Sequence, residues 1–113
     1  MSGDHLDRVT VQELRAVMGE DFALLVQTFA RDSSQRIAAI QEAVTAADAD
    51  ALRRAAHSFK GSSGNMGAPG LAEFCRSLEE LGRDGTTDGA AALVTALVDE
   101  YTHVERELNQ LLV

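Results

Sequence analysis

The sequence has few of the residues that build disulfide-bonded or sheet-rich proteins. It contains one cysteine, one proline and no tryptophan in 113 residues, and only 4% of its residues are aromatic. Because Cys75 is alone, no disulfide can form within the chain, which fits a reducing compartment. Alanine, leucine, glutamate and arginine recur throughout, and these residues favour helices. The composition therefore favours an all-helical protein.

Positive charge and long apolar runs are also scarce. The chain has 10 lysines and arginines against 18 aspartates and glutamates, which gives a formal net charge of −8. Because the phosphates of nucleic acids require a basic surface, this charge argues against nucleic acid as the main partner. No apolar run reaches the roughly 20 residues that span a bilayer, and the first residues do not resemble a signal peptide. We expect a soluble, cytoplasmic protein that does not bind membranes.

Apolar residues recur at intervals of three and four along most of the chain, which is the spacing of one face of a helix. The candidate caps and stops are Thr10 and Gly19 for a short helix over 11–18, Asp21 for a long second helix, Asp48 or Asp50 and then Gly67 for a third, Pro69 for the start of a fourth, and Asp88 for the last. This pattern predicts an all-α protein, an antiparallel four-helix bundle with a short extra N-terminal helix. We expect one monomeric domain over 1–113, with 1–9 as a flexible N-terminus.

One stretch of the third helix, HSFKGSSG, departs from simple amphipathic patterning. It contains the only lysine of the chain, Lys60, and two glycines, each of which costs roughly 1 kcal/mol in a helix interior. On a helical wheel centred on the apolar stripe, His57 lies about 140° away, Gly64 about 120° and Gly61 about 180°. Arg53 and Lys60 lie about 100° and 80° from the stripe. This orientation favours an exposed histidine flanked by cations over one that merely packs or caps a helix.

The chemistry of such a histidine suits phosphate. An exposed imidazole has a pKa near 6.5, so near neutral pH much of it is unprotonated and nucleophilic. Nearby cations disfavour the protonated ring and favour an anion attached to it. Lys60 can donate a charged hydrogen bond to phosphate oxygens, and Gly61 and Gly64 allow a partner to approach closely. The stretch therefore predicts a covalent phosphate carrier that docks onto another protein.

The run HSFKGSSGNMGA from His57 to Ala68, continued by LAEFCRSLEELGR from Leu71 to Arg83, closely resembles a known signature. It is the signature of bacterial-type histidine-containing phosphotransfer (HPt) domains of multistep two-component phosphorelays. The resemblance implies that His57 accepts phosphate at Nε2 from a receiver-domain aspartate of a hybrid sensor kinase and passes it to the aspartate of a response regulator. The receiver is expected to supply Mg²⁺ and most catalytic groups, so this chain needs no cofactor, no metal and no ATP site.

The resemblance also implies roles for neighbours of the histidine. Lys60 would help to hold the phosphoryl group, and Gly61 would leave room for the receiver. Glu79, on the next helix, would border the histidine, where its carboxylate either accepts the Nδ1 hydrogen and orients the ring or repels the incoming phosphate. Arg83, one turn later, matches a position where a basic residue lies near the phosphate.

The short first helix is a candidate docking surface. Leu14, Val17 and Met18 form an apolar patch of the kind through which the family docks receivers, but they equally fit a seal over the end of the bundle. Arg53 and Lys60, with Arg83 as a third candidate, would form a local basic spot that complements the carboxylates of a receiver pocket.

Two other interpretations stay open from the sequence. The chain is either a carrier or, as the main rival, an adaptor or inhibitor that binds a receiver or kinase without taking phosphate. It is either a complete small protein or one domain of a larger hybrid kinase.

The scattered histidines and the single cysteine predict no metal site, and His5 is expected in a frayed terminus. The partner kinases, the direction of phosphate flow and the physiological output are not encoded in any motif.

Overall fold

The computed structural model describes residues 5–112 and is helical throughout, without strands in that range. Its α-helices are α1 (Arg8–Met18), α2 (Phe22–Thr45), α3 (Ala49–Asn65), α4 (Pro69–Arg83) and α5 (Ala90–Gln110), and a 3₁₀ turn (Gly19–Asp21) joins the first two. The predicted all-α class is confirmed.

The four long helices contact one another in a closed cycle. Helix α3 packs against α2 and α4, α4 packs against α5, and α5 returns to α2, while α1 lies against α2. This set of contacts fits a four-helix bundle. Large apolar side chains from all four helices fill its centre and are almost completely buried, among them Ile40, Leu52, Phe59, Leu71, Leu78 and Leu97.

Several helix ends follow the sequence signals. The side chain of Asp48, rather than that of Asp50, accepts a backbone N–H at 3.0 Å and caps α3. Gly19 and Gly67 follow α1 and α3 with positive φ, which glycine adopts without a steric penalty, and Pro69 opens α4. The predicted connections are therefore confirmed at both ends of the helix that carries His57.

The cap of α1 differs from the prediction. Asp7, not Thr10, is the N-cap, and its carboxylate accepts the N–H groups of Val9 and Thr10 at 3.1 and 3.5 Å. The Thr10 hydroxyl donates to the same carboxylate at 2.9 Å. Because a carboxylate is the stronger acceptor for the free N–H groups of a first turn, the helix begins at Arg8.

Asp21 occupies the predicted N-cap position of α2 without a side-chain cap bond, whereas the cap predicted for α5 is wrong by one residue. Asp21 lies in the 3₁₀ turn that runs directly into α2, so its side chain makes no cap hydrogen bond. Before α5, Gly89 takes the N-cap position with φ of 82°, and the Asp88 N–H instead donates to the Thr86 hydroxyl at 3.0 Å. In both places the backbone conformation at the start of the helix leaves the aspartate side chain without a cap hydrogen bond.

The segment before α1 packs against the bundle, although a flexible N-terminus was predicted. Leu6 is buried in the core. His5 Nδ1 lies 2.9 Å from Glu100 Oε2, and the His5 ring stacks on His103 with centroids 4.5 Å apart. Residues 1–4 of the predicted flexible segment lie outside the described residues.

Candidate functional site

His57 lies on the outer face of α3. The inner face of that helix, with Leu52, Ala56 and Phe59, is fully buried, as is Ser63. The side chain of His57 is 67% exposed. The wheel therefore predicted the orientation of the histidine correctly, because one face of a regular helix fixes the position of the other.

A buried carboxylate from α4 joins several of the predicted site residues. Glu79 is only 3% exposed, and its Oε2 accepts a hydrogen bond from His57 Nδ1 at 2.8 Å. Lys60 Nζ lies 2.6 Å from Glu79 Oε1, and Arg83 Nη2 donates to Oε2 at 3.0 Å. We call Glu79, His57, Lys60 and Arg83 the carboxylate cluster.

The electrostatics of this cluster define the state of the ring. The hydrogen bond from Lys60 is the main cause that holds the pKa of Glu79 below its ordinary value, with further help from His57, while burial opposes the shift. Because an ionised carboxylate only accepts hydrogen bonds, the Nδ1 of His57 carries the hydrogen, and Nε2 of the neutral ring keeps its lone pair. The more nucleophilic nitrogen is thus the one that Glu79 leaves free.

The same cluster limits repulsion of an anion. The one negative charge of Glu79 is compensated by two positive charges, those of Lys60 and Arg83. Since these cations lie within hydrogen-bond distance of the carboxylate, an approaching phosphate meets a net positive group. The sequence left two roles open for Glu79, orientation of the His57 ring and repulsion of phosphate. The geometry favours the first of these.

A pH dependence of stability follows from Glu79. Its pKa is lower in the folded state than its ordinary value of 4.5, so its stabilising contribution is complete above that value and is lost as the pH falls through the folded-state pKa. We expect Glu79→Gln to be less stable than the wild type at neutral pH, and the difference to shrink on acidification. Chemical unfolding of both proteins from neutral pH to about pH 3 measures this difference. A constant difference across that range would show that the charge of Glu79 contributes nothing to folding.

Glycines beside the histidine leave open space. Apart from its chain neighbours and the backbone of its own helix, a Cβ atom added at Gly61 or Gly64 would find no heavy atom within 4 Å. Packing within the protein therefore does not require these glycines. Their helix-weakening effect is consistent with a need for close approach from outside.

Gly82 has a different role, which was not predicted from the sequence. A Cβ atom at this position would lie 2.5 Å from the carbonyl oxygen of Ala49 and 2.7 Å from the amide nitrogen of Arg53. The backbones of α3 and α4 thus approach each other closely just after Glu79. The available signal was a glycine within a helical apolar pattern, which often marks such an approach.

Arg53 is not joined to the carboxylate cluster. Its Nη2 donates to Asp50 at 3.1 Å, one turn towards the start of α3, and Arg54 pairs with the same carboxylate. The basic spot predicted from Arg53 and Lys60 is therefore divided between two separate carboxylates.

The predicted docking residues on α1 differ in exposure. Val17 is 83% exposed, whereas Leu14 and Met18 are half-buried and pack against the core. Leu14 also lines an apolar groove of about 250 Å³ between α1, α2 and α3, together with Leu25 and Phe29. The patch therefore combines a role in sealing the bundle with an accessible apolar surface.

The remaining candidate groups have structural explanations. Burial raises the pKa of the Cys75 thiol to about 12, so it is not a reactive thiolate. Within residues 5–112 no group of three histidine, cysteine, aspartate or glutamate side chains is arranged to hold a metal ion. In that same range, no helix has the length and apolar character to cross a membrane.

Comparison with known proteins identifies the family. The Hpt domain family matches residues 24–111, and the chain belongs to that family. Among solved structures, it is similar to histidine-containing phosphotransfer protein B (HptB) from Pseudomonas aeruginosa PAO1, with 41% sequence identity and a TM-score of 0.93. The match covers 96% of this chain and 95% of that one. No curated protein matches the chain. Membership supports a role in histidine phosphotransfer within two-component phosphorelays, where Hpt proteins work with receiver domains and response regulators.

Proposed function

We propose that this chain is a phosphorelay intermediate in which His57 carries the phosphoryl group. The group arrives from the receiver aspartate of a hybrid sensor kinase and leaves to the aspartate of a response regulator. The observation that carries the proposal is an exposed histidine whose Nδ1 is held by a buried, ionised carboxylate. The chain acts as a carrier and not as a kinase, and the receiver supplies Mg²⁺ and most of the catalytic groups.

The transfer step follows from the hydrogen on Nδ1. The Nε2 lone pair attacks the phosphorus of the aspartyl phosphate, a P–N bond forms, and the P–O bond to the aspartate breaks to release a carboxylate. The ring, still protonated at Nδ1, becomes a phosphorylated imidazolium, and the negative charge of Glu79 stabilises it. Transfer to the second aspartate reverses these bond changes. Because phosphoryl transfer depends mainly on positioning and charge stabilisation, the carrier needs few groups of its own.

Lys60 and Arg83 are proposed to help hold the phosphoryl group, because Glu79 keeps both beside the ring. Gly61 and Gly64 leave room for the receiver, and Leu14, Val17 and Met18 are proposed to contact it. Arg53 adds positive charge at the edge of this surface.

The connections between the long helices, residues 46–48, 66–68 and 84–89, are short enough to favour an antiparallel order. We propose a cytoplasmic monomer, which leaves the His57 face accessible.

Lys60→Ala should slow phosphoryl transfer and should cost some stability, because the buried Oε1 of Glu79 loses its close cationic partner. The variant loses a charged donor to the phosphoryl oxygens, so we expect the rate to fall about tenfold to a hundredfold. Lys60 is partly exposed, and Glu79 keeps its bonds to His57 and Arg83. Rapid-quench transfer from a phosphorylated receiver gives the rate, and Arg54→Ala, which removes an exposed cation from the same helix, is the control. An unchanged rate in Lys60→Ala would remove this lysine from the mechanism.

A two-receiver assay tests the proposed function. A labelled hybrid-kinase receiver is mixed first with the chain and then with a response regulator, and the label is followed by gel. The proposal expects label to appear on the chain and then to move to the regulator. If the folded chain binds the receivers but takes no label from any of them, it is an adaptor and not a carrier.

A further inference from the structure

An arginine from α2 reaches the neighbourhood of His57 from the side opposite to α4. Arg36 Nη1 donates a hydrogen bond to the hydroxyl of Ser58, the residue that follows His57. Ser58 is exposed and Arg36 is half-buried. The exposed histidine therefore lies between Glu79 on the α4 side and this arginine on the α2 side.

Among residues 5–112, Arg36 forms no ion pair with a carboxylate, although Asp32 borders the same depressions of the surface. Near His57, Lys60 and Arg83 are paired with Glu79, whereas Arg53 and Arg54 are paired with Asp50. No carboxylate in the part of the chain that the structure describes forms an ion pair with Arg36, and the nearby Asp32 is instead 3.8 Å from Arg31.

The only hydrogen-bond partner of Arg36 in the structure is neutral. Its Nε is buried and has no hydrogen-bond partner among the described residues, so its bond to the Ser58 hydroxyl is the one that holds it.

Arg36 also borders two depressions of the surface. One is the apolar groove lined by Leu14, Leu25 and Phe29, with a volume of about 250 Å³. The other, of about 380 Å³, lies between α2 and α3 and reaches Ser58. A partner that covers both His57 and the apolar groove must therefore also cover Arg36.

On the basis of the proposed function, we propose that Arg36 is a specificity-determining residue that pairs with a carboxylate of the docked receiver. A carboxylate carries a full negative charge and can accept two N–H groups of a guanidinium, whereas the Ser58 hydroxyl is neutral and accepts one, so an approaching carboxylate displaces the hydroxyl. The hydroxyl keeps the guanidinium in place before docking, which reduces the entropy lost on binding. Exclusion of water at the interface strengthens the pair, and receivers without a carboxylate at that point bind less well.

The test compares four variants in transfer from a phosphorylated receiver and in phosphorylation by the small donor phosphoramidate. Arg36→Ala should raise KM for the receiver about tenfold, with kcat and the phosphoramidate rate unchanged. Its KM should depend less on salt than that of the wild type, and Arg36→Lys should recover part of the loss. Arg31→Ala, which removes a more exposed cation from the same helix, should behave as the wild type. Ser58→Ala should have a smaller effect than Arg36→Ala.

Three results would overturn the assignment. An unchanged KM in Arg36→Ala, with normal transfer in the wild type, refutes the role of Arg36 and leaves the carrier function intact. If Arg36→Ala loses as much activity with phosphoramidate as with the receiver, Arg36 contacts the phosphoryl group and not the partner protein. If Ser58→Ala reproduces the whole defect, Arg36 only supports the local structure. Calorimetric Kd values for the receiver test the pairing even if the wild type accepts no phosphate.

Discussion

His57→Gln is expected to abolish phosphorylation of the chain by a receiver while leaving the fold intact. The glutamine amide has no nucleophilic lone pair to replace Nε2, so transfer should fall to background. The histidine side chain is 67% exposed, and the glutamine amide can still donate an N–H towards the buried carboxylate of Glu79, so the fold is expected to remain intact. Labelled phosphate from a receiver, followed by tests for an acid-labile and base-stable bond, measures the first effect. Thermal unfolding measures the second.

His103→Gln is the matched control for this variant. His103 is a partly exposed histidine on α5, paired with Asp99 at 3.7 Å and stacked on His5. It should accept no phosphate, so its replacement should leave labelling unchanged. Full labelling of His57→Gln would place the acceptor elsewhere, and loss of the fold in that variant would mean that the role of its face is structural.

Gly82→Ala is expected to destabilise the protein strongly. The new methyl group would lie 2.5 Å from the Ala49 carbonyl oxygen and 2.7 Å from the Arg53 amide nitrogen, both of which are backbone atoms of α3. Because backbone atoms cannot rotate away, α3 and α4 must separate, and we expect a loss of about 2–4 kcal/mol in the free energy of unfolding. Urea denaturation at neutral pH measures this loss. Since Glu79 lies one turn before Gly82, separation of the helices should also slow transfer.

Gly61→Ala makes the same chemical change where space is open. No heavy atom outside its chain neighbours and its own helix backbone lies within 4 Å of the added Cβ, and alanine favours helix, so this variant should gain about 0.5–1 kcal/mol. Changes of opposite sign in the free energy of unfolding of Gly82→Ala and Gly61→Ala would confirm that Gly82 is required for internal packing and Gly61 is not. If both variants lost the same amount of stability, the difference between the two glycines would be refuted.

The sequence predicted those features of the site that depend on helix periodicity. The outward position of His57 and the placement of Lys60 one turn later follow from 3.6 residues per turn. Both predictions required only that this segment form a regular helix. The presence of Glu79 beside the ring came from the family resemblance. Its charge balance could not be predicted, because that depends on distances from Lys60 and Arg83 across two helices.

The incorrect cap of α1 and the contacts that were not predicted have a common cause, because each depends on parts of the chain that are distant in sequence. Thr10 is an acceptable cap, but Asp7 is a stronger acceptor and its backbone N–H also bonds to Gly67. The close approach at Gly82 and the reach of Arg36 to Ser58 are contacts between helices; the glycine within a helical pattern hinted at the first, and no local pattern indicated the second.

The position of the phosphoryl group on the ring tests the central claim most directly. Protein labelled with ¹⁵N in its histidines is phosphorylated by a receiver and observed by NMR for coupling between phosphorus and the ring nitrogens. The account predicts coupling to Nε2 of His57, with the hydrogen retained on Nδ1, which is bonded to Glu79. Phosphate on Nδ1, or on any residue other than His57, would contradict it.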